Sequence, residues 1–174
     1  MTTTSTPIAP PTLAAIHPQL CKPFSARLVE LKPQATTKDK RRALAVPFVD
    51  ARAYQARLDR AAGPDGWNVS YRRLSDRAVV CRLTILGVTR EDVGEAETEE
   101  FDRQSGEMRP NPNQATSAAM QAFKRACAAF GLGRYLYSMP QRWGDYDSEK
   151  KVFVNPDGLI AEMYTLAGIK NGEE

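Results

Sequence analysis

Histidine is nearly missing from this chain: His17 is the only one in 174 residues. That argues against a His-based metal site or a Ser-His-Asp triad. His17, with only Cys21 near it in sequence, reads as a surface or capping residue. Cysteine is scarce as well. Cys21, Cys81 and Cys127 are odd in number and widely separated, which suits neither a disulfide framework nor a zinc knuckle and points to a reducing cytoplasm. No apolar run approaches the roughly 20 residues that span a bilayer, so no membrane partner is expected. The Thr- and Pro-rich start, Met1 to Pro11, lacks a basic segment followed by an apolar one, so it reads as a disordered tail and not a secretory signal.

What is present suits one globular domain. Hydrophobic residues make up 42% and charged residues 26%, enough for a single core and too little chain for two ordinary ones. The expected organisation is a tail over 1–12, one domain over 13–169 and a short tail over 170–174. Charge is segregated along the chain. From Lys22 to Arg90 there are 15 Lys/Arg against 6 Asp/Glu, a balance of +9; from Glu91 to Glu174 there are 9 against 15, a balance of −6. A chain divided in this way can offer a basic face to a polyanion, although mixed charge clustering by chance gives the same counts.

Periodicity predicts a short helix over Leu13 to Leu20 and a strand over Phe24 to Lys32 bounded by Pro23 and Pro33. A basic loop, Thr36 to Arg42, carries Lys38, Lys40, Arg41 and Arg42. Asp50 caps a helix to about Ala62, which Gly63-Pro64-Asp65-Gly66 stops. Alternation from Trp67 to Arg73 and from Arg77 to about Gly87 predicts an antiparallel hairpin. Val88 to Glu97 suits a further strand. The acid-rich stretch from Glu91 to Glu107, with Pro110 to Asn113, reads as a mobile polar connection. A main helix follows from Gln114, ended by Gly131 and Gly133. A short strand over Lys150 to Asn155 and a helix capped by Asp157 complete an α+β chain, an antiparallel sheet of three to five strands with a long helix packed across it.

The main helix is the most informative segment. Ala115, Ala119, Ala122, Ala126 and Ala129 make one narrow stripe, and Met120, Phe123, Cys127 and Phe130 a second beside it. Together they form a broad apolar face, small enough in part to approach a sheet closely. Ser117, Gln121, Lys124 and Arg125 lie opposite, with Ala128 between the cations. No Asp or Glu occurs from Gln114 to Phe130, so nothing on the helix neutralises the Lys124-Arg125 pair, and phosphates fit such a face. A merely solvated helix face is the plainer alternative. Arg134-Tyr135-Leu136-Tyr137 adds a cation among aromatics, suited to base stacking or, equally, to a core.

Phe123-Lys124-Arg125-Ala126, followed by Phe130-Gly131-Leu132-Gly133-Arg134-Tyr135-Leu136-Tyr137, resembles the single-strand annealing proteins of the Rad-fifty-two superfamily, closest to their bacterial DNA-damage-response branch. Arg90-Glu91-Asp92-Val93-Gly94 and Val49-Asp50-Ala51-Arg52, leading to Asp65-Gly66-Trp67, match family segments in the same order. The resemblance covers residues 22 to 145. It implies a ring of many protomers that holds single-stranded DNA in a basic groove with its bases outward, for ATP-independent annealing in DNA repair or recombination. It also implies a bacterial or phage cytoplasmic setting near the nucleoid. Lys124 and Arg125 match the family's main phosphate-binding pair, and Arg52 a basic residue on the first helix facing the groove. Ala128 departs from a relative with a further basic residue at that turn, and Pro64 stands where an aromatic groove residue can occur. Arg134, and Arg72 and Arg73 on the hairpin with Arg77 and Arg82, are secondary candidates. No catalytic residue, metal or cofactor is required, and other recombination proteins are the remaining partner class.

Two other readings stay open. Asp145, Asp147 and Glu149-Lys150-Lys151 superficially match an Asp…Glu-x-Lys nuclease site, but the acids of such a site normally come from successive strands and converge on one cation. The alanine stripe would also suit a structural or interaction subunit without DNA activity.

Overall fold

The computed structural model describes residues 11–102 and 107–170, with the side chains of 100–102 left aside. Most of the two expected tails lies outside these residues. Thr12 is already structural, because its Oγ1 accepts the Ala15 N–H at 3.3 Å and caps α1 (Leu13–Cys21).

The elements that follow are β1 (Val29–Thr36), β2 (Arg42–Val49), α2 (Ala51–Ala62), β3 (Trp67–Arg73), β4 (Ala78–Ile85), β5 (Val88–Glu95), β6 (Glu99–Asp102), β7 (Glu107–Pro110), α3 (Gln114–Ala129), β8 (Arg142–Asp147), β9 (Val152–Phe153) and α4 (Pro156–Leu166). The α+β class and the antiparallel pairing hold. The strands divide between a four-stranded sheet in the order β1-β2-β8-β9 and a three-stranded sheet in the order β3-β4-β5, with β6-β7 a separate antiparallel pair.

Several sequence expectations change. The strand foreseen over Phe24 to Lys32 begins only at Val29, after a 3-10 turn over Ala26–Leu28, and runs through Pro33 to Thr36. As β1 is an edge strand, the missing N–H of Pro33 is tolerated, and the register shifts between Pro33 and Ala35. Strand β2 was not foreseen, and β8 occupies what reads as a polar loop. The acid-rich connection contains the antiparallel strand pair β6–β7. Asn155, not Asp157, caps α4: its Oδ1 accepts the Gly158 N–H at 3.0 Å, and Asp157 sits in the first turn.

The core lies where α3 crosses β4 and β5. Cys81, Leu83 and Ile85 on β4 meet Ala118, Ala122, Phe123, Ala126 and Cys127 on α3, all fully buried. Ala115, by contrast, is exposed and Ala118 takes its place in the buried stripe. The helix sits so low on β5 because Gly94 lacks a side chain. A Cβ there would meet Ala118 O at 2.1 Å and Ala122 N at 2.3 Å. Polar bonds fix the same seat on both sides of that glycine: Glu95 N–H donates to Gln121 Oε1 at 2.8 Å, and Arg125 Nη1 donates to Val93 O at 2.9 Å.

Tyr54 from α2, Phe24 and Trp67 extend this core around Phe123. Arg57, only 3% exposed, is a structural cation: its Nη1 donates to Gln19 O and Lys22 O, and its guanidinium lies 4.8 Å from the Phe24 ring. Cys81 and Cys127 are free thiols inside the core, and burial pushes the Cys81 pKa up to about 11. Cys21 Sγ lies 3.4 Å from His17 Nε2 at the surface end of α1, which accounts for the lone histidine.

Candidate nucleic-acid interface

Between β2 and α3 runs a cleft of about 410 Å³, with Lys124 and Arg125 from the helix on one wall and Val46 to Val49 on the other. Leu136, Tyr137 and Met139, from the turn after α3, close its end. The polar residues lining it are Lys124, Arg125, Gln121, Gln141, Tyr54 and Tyr137, with no Asp or Glu among them. Such a site accepts an anion without desolvating a competing acid.

The two cations are held differently. Burial and the like charge of Lys32 hold the Lys124 pKa below the usual lysine value, with Asp50 acting in the opposite sense. Its Nζ lies 5.9 Å from the Phe48 ring centroid, and Lys32 Nζ lies 4.2 Å from the same ring. A phosphate placed there relieves that repulsion. Arg125 spends one N–H on Val93 O and keeps its remaining donors on a fixed fork beside Tyr137. Asp92 borders Arg125 on its far side, in a shallower depression shared with Arg134.

The other sequence candidates are dispersed. Arg52 is exposed on the opposite face of α2 from Tyr54, in a separate depression with Arg27, Glu30 and Arg60. It does not join Lys124. Arg134 folds back on α3: Nε donates to Ala128 O at 2.7 Å and Nη2 to Ala129 O at 2.9 Å. It is a helix C-terminal cap, and Arg134→Ala should lower the unfolding free energy by about 1–2 kcal/mol, read by chemical denaturation. Arg72 and Arg73 lie on β3, at the end of the sheet where Gln114 Nε2 meets Asp76 O. That is about 15 Å along α3 from Lys124 at 1.5 Å per residue. Arg73 pairs with Asp76, Arg77 with Glu97 and Arg82 with Glu91.

The two tyrosines part company. Tyr135 is core, its hydroxyl 3.0 Å from that of Tyr164 and accepting the Phe24 N–H. Tyr137 is 65% exposed at the cleft mouth. The two aspartates of the nuclease-like set are engaged within the chain. Asp147 Oδ1 accepts the N–H groups of Lys150 and Glu149, which hold its pKa down, and Asp145 faces Arg42 at 3.9 Å. Among the described residues no group of three His, Cys, Asp or Glu converges to hold a metal, and no helix is long and apolar enough to cross a membrane.

Sequence reasoning missed Lys32, Phe48 and Gln141. Lys32 joins Lys124 only because β1 pairs with β2 in the register Lys32↔Val46.

A cationic cleft lined by no carboxylate, on a helix seated against a sheet, suits an anionic ligand, and the chain belongs to the family described as Rad52/22 family double-strand break repair protein, which matches residues 12–152. Among curated proteins it is 40% identical over 144 residues to the single-stranded DNA-binding protein DdrA of Deinococcus radiodurans, covering 80% of this chain and 62% of that one. The DdrA of Deinococcus deserti is 38% identical over 152 residues, covering 84% of this chain and 69% of the relative. The chain thus spans about three fifths of the length of the first of these relatives.

Proposed function

We propose that this chain binds single-stranded DNA and anneals complementary strands without ATP or metal, in DNA repair or recombination, and that it does so as a homo-oligomeric ring. The observation that carries this is the β2–α3 cleft: Lys124 and Arg125 line it, no carboxylate does, and Gly94 sets the height of the helix that presents them. The DNA-binding named for both relatives supports the same reading. Binding here requires no nucleophile. Neutralised phosphates let two strands approach, and a strand held extended loses less freedom on pairing.

Fluorescence anisotropy with a labelled oligonucleotide at 50 and 200 mM salt tests this. Each phosphate contact contributes a slope of about −0.7 in log K against log salt for a single strand, so affinity should fall steeply between the two. Annealing of complementary oligonucleotides in EDTA and without nucleotide should be faster than the spontaneous reaction. Salt-insensitive binding, or strand cleavage that needs a divalent ion, would overturn the reading.

A further inference from the structure

The open face of the four-stranded sheet continues the cleft. Alternation along β2 sends Ala43, Ala45, Pro47 and Val49 into the protein, where Phe153 packs on Ala43 and Ala45. Leu44, Val46 and Phe48 therefore share the other face and are only partly buried. Trp143 on β8 lies directly opposite Leu44 in the antiparallel register, so it stands on that same face, 42% exposed. Phe48 and Trp143 thus flank an apolar strip about 13 Å long, four residues at about 3.3 Å each.

The strip is bordered by cations at both ends. Lys124 and Lys32 stand at Phe48. At the far end Arg42 donates to Trp143 O at 2.8 Å, and the turn before it carries Lys38, Lys40 and Arg41, with one acid, Asp39, whose Oδ1 accepts from Thr37 Oγ1 and the Arg41 N–H. The acids on this face are Glu30, opposite Phe48, Asp145, opposite Arg42, and Asp147, two residues further along β8, whose Oδ1 already accepts the N–H groups of Glu149 and Lys150.

We infer that this sheet face is a stacking platform for single-stranded nucleic acid. A strand leaving the Lys124-Arg125 cleft lays its bases on Phe48 and Trp143, and its phosphates run toward the basic β1–β2 turn. The inference rests on the proposed single-strand binding and adds a site outside the cleft. The chemistry favours this occupant: two exposed rings separated by aliphatic side chains and edged by lysine and arginine match π-faces joined by phosphates. The basic loop, which the cleft leaves unused, acquires a role.

Trp143 is its own reporter. The chain has two tryptophans, and Trp67 is tied to Asp59 Oδ1 at 2.8 Å within the core region. In a Trp67→Phe background, a thymidine oligonucleotide long enough to reach the platform should quench Trp143 emission as it binds. Trp143→Ala should weaken binding about tenfold, with an unchanged far-UV spectrum and melting temperature. Labelled-oligonucleotide anisotropy on the same samples separates the possible failures. No binding at all refutes the single-strand reading itself. Full binding with Trp143 emission unmoved, or unchanged affinity in Trp143→Ala, overturns only the platform. A Trp143 signal that changes with protein concentration in the absence of DNA also overturns it, by showing that a second copy of the chain covers this face. If Trp67→Phe does not fold, the affinity of Trp143→Ala decides alone.

Discussion

Replacing Lys124 and Arg125 together by alanine should weaken single-stranded DNA binding about a hundredfold or more. Each side chain offers a charge-assisted bond to phosphate, worth about 1.5–3 kcal/mol. The salt slope should flatten by roughly 1.4, the share of two phosphate contacts. The structure also says what the double substitution does to the fold. Lys124 makes no hydrogen bond essential to packing, whereas Arg125 holds Val93 O, so a loss of about 1 kcal/mol in unfolding free energy is expected. Arg125→Lys keeps the charge but loses the planar fork, and should fall between parent and double variant. Anisotropy titrations with urea unfolding on the same preparations check all of this. An affinity within threefold of the parent would remove the cleft from consideration.

Gly94→Ala should be strongly damaging, because among the described glycines it is the one whose added methyl would run into main chain. The added carbon meets main-chain atoms, Ala118 O at 2.1 Å and Ala122 N at 2.3 Å, and no rotamer of a neighbour can make room. Helix α3 would have to lift off β5, breaking the Gln121 and Arg125 bonds on either side of the glycine. Overpacking costs about 1–3 kcal/mol, with occasional larger values, and the two lost bonds add about 1 kcal/mol each. Because the lifted segment carries the cationic pair, binding should fall together with stability. Chemical denaturation and oligonucleotide titration of one variant test both. An alanine variant as stable as the parent would show that the helix does not rest on this glycine.

The central helix and the β3–β4 hairpin were legible in the sequence because their periodicity is local and complete. Strand β8, Arg-Trp-Gly-Asp-Tyr-Asp, was not: only its pairing with β2, about a hundred residues away in sequence, makes it a strand, and no composition rule encodes a distant partner. The site shows the same division. Lys124 and Arg125 were found from one helix face. Lys32 and Phe48 join them through strand register, and Arg52 leaves them because helix geometry sets it about 200° from Tyr54. Tyr135 and Tyr137 carry the same chemistry in the same turn, and only the placement of Tyr164 beside one of them settles which is core.

Arg134 has one more consequence. The aligned peptide groups of a helix place about half a negative charge at its C-terminal end, and in α3 that pole lies one turn from Arg125. Left open, it would repel the phosphates that the cations attract. The guanidinium that covers Ala128 O and Ala129 O offsets this pole, so a residue engaged wholly with its own chain keeps the cleft's field positive to the end of the helix.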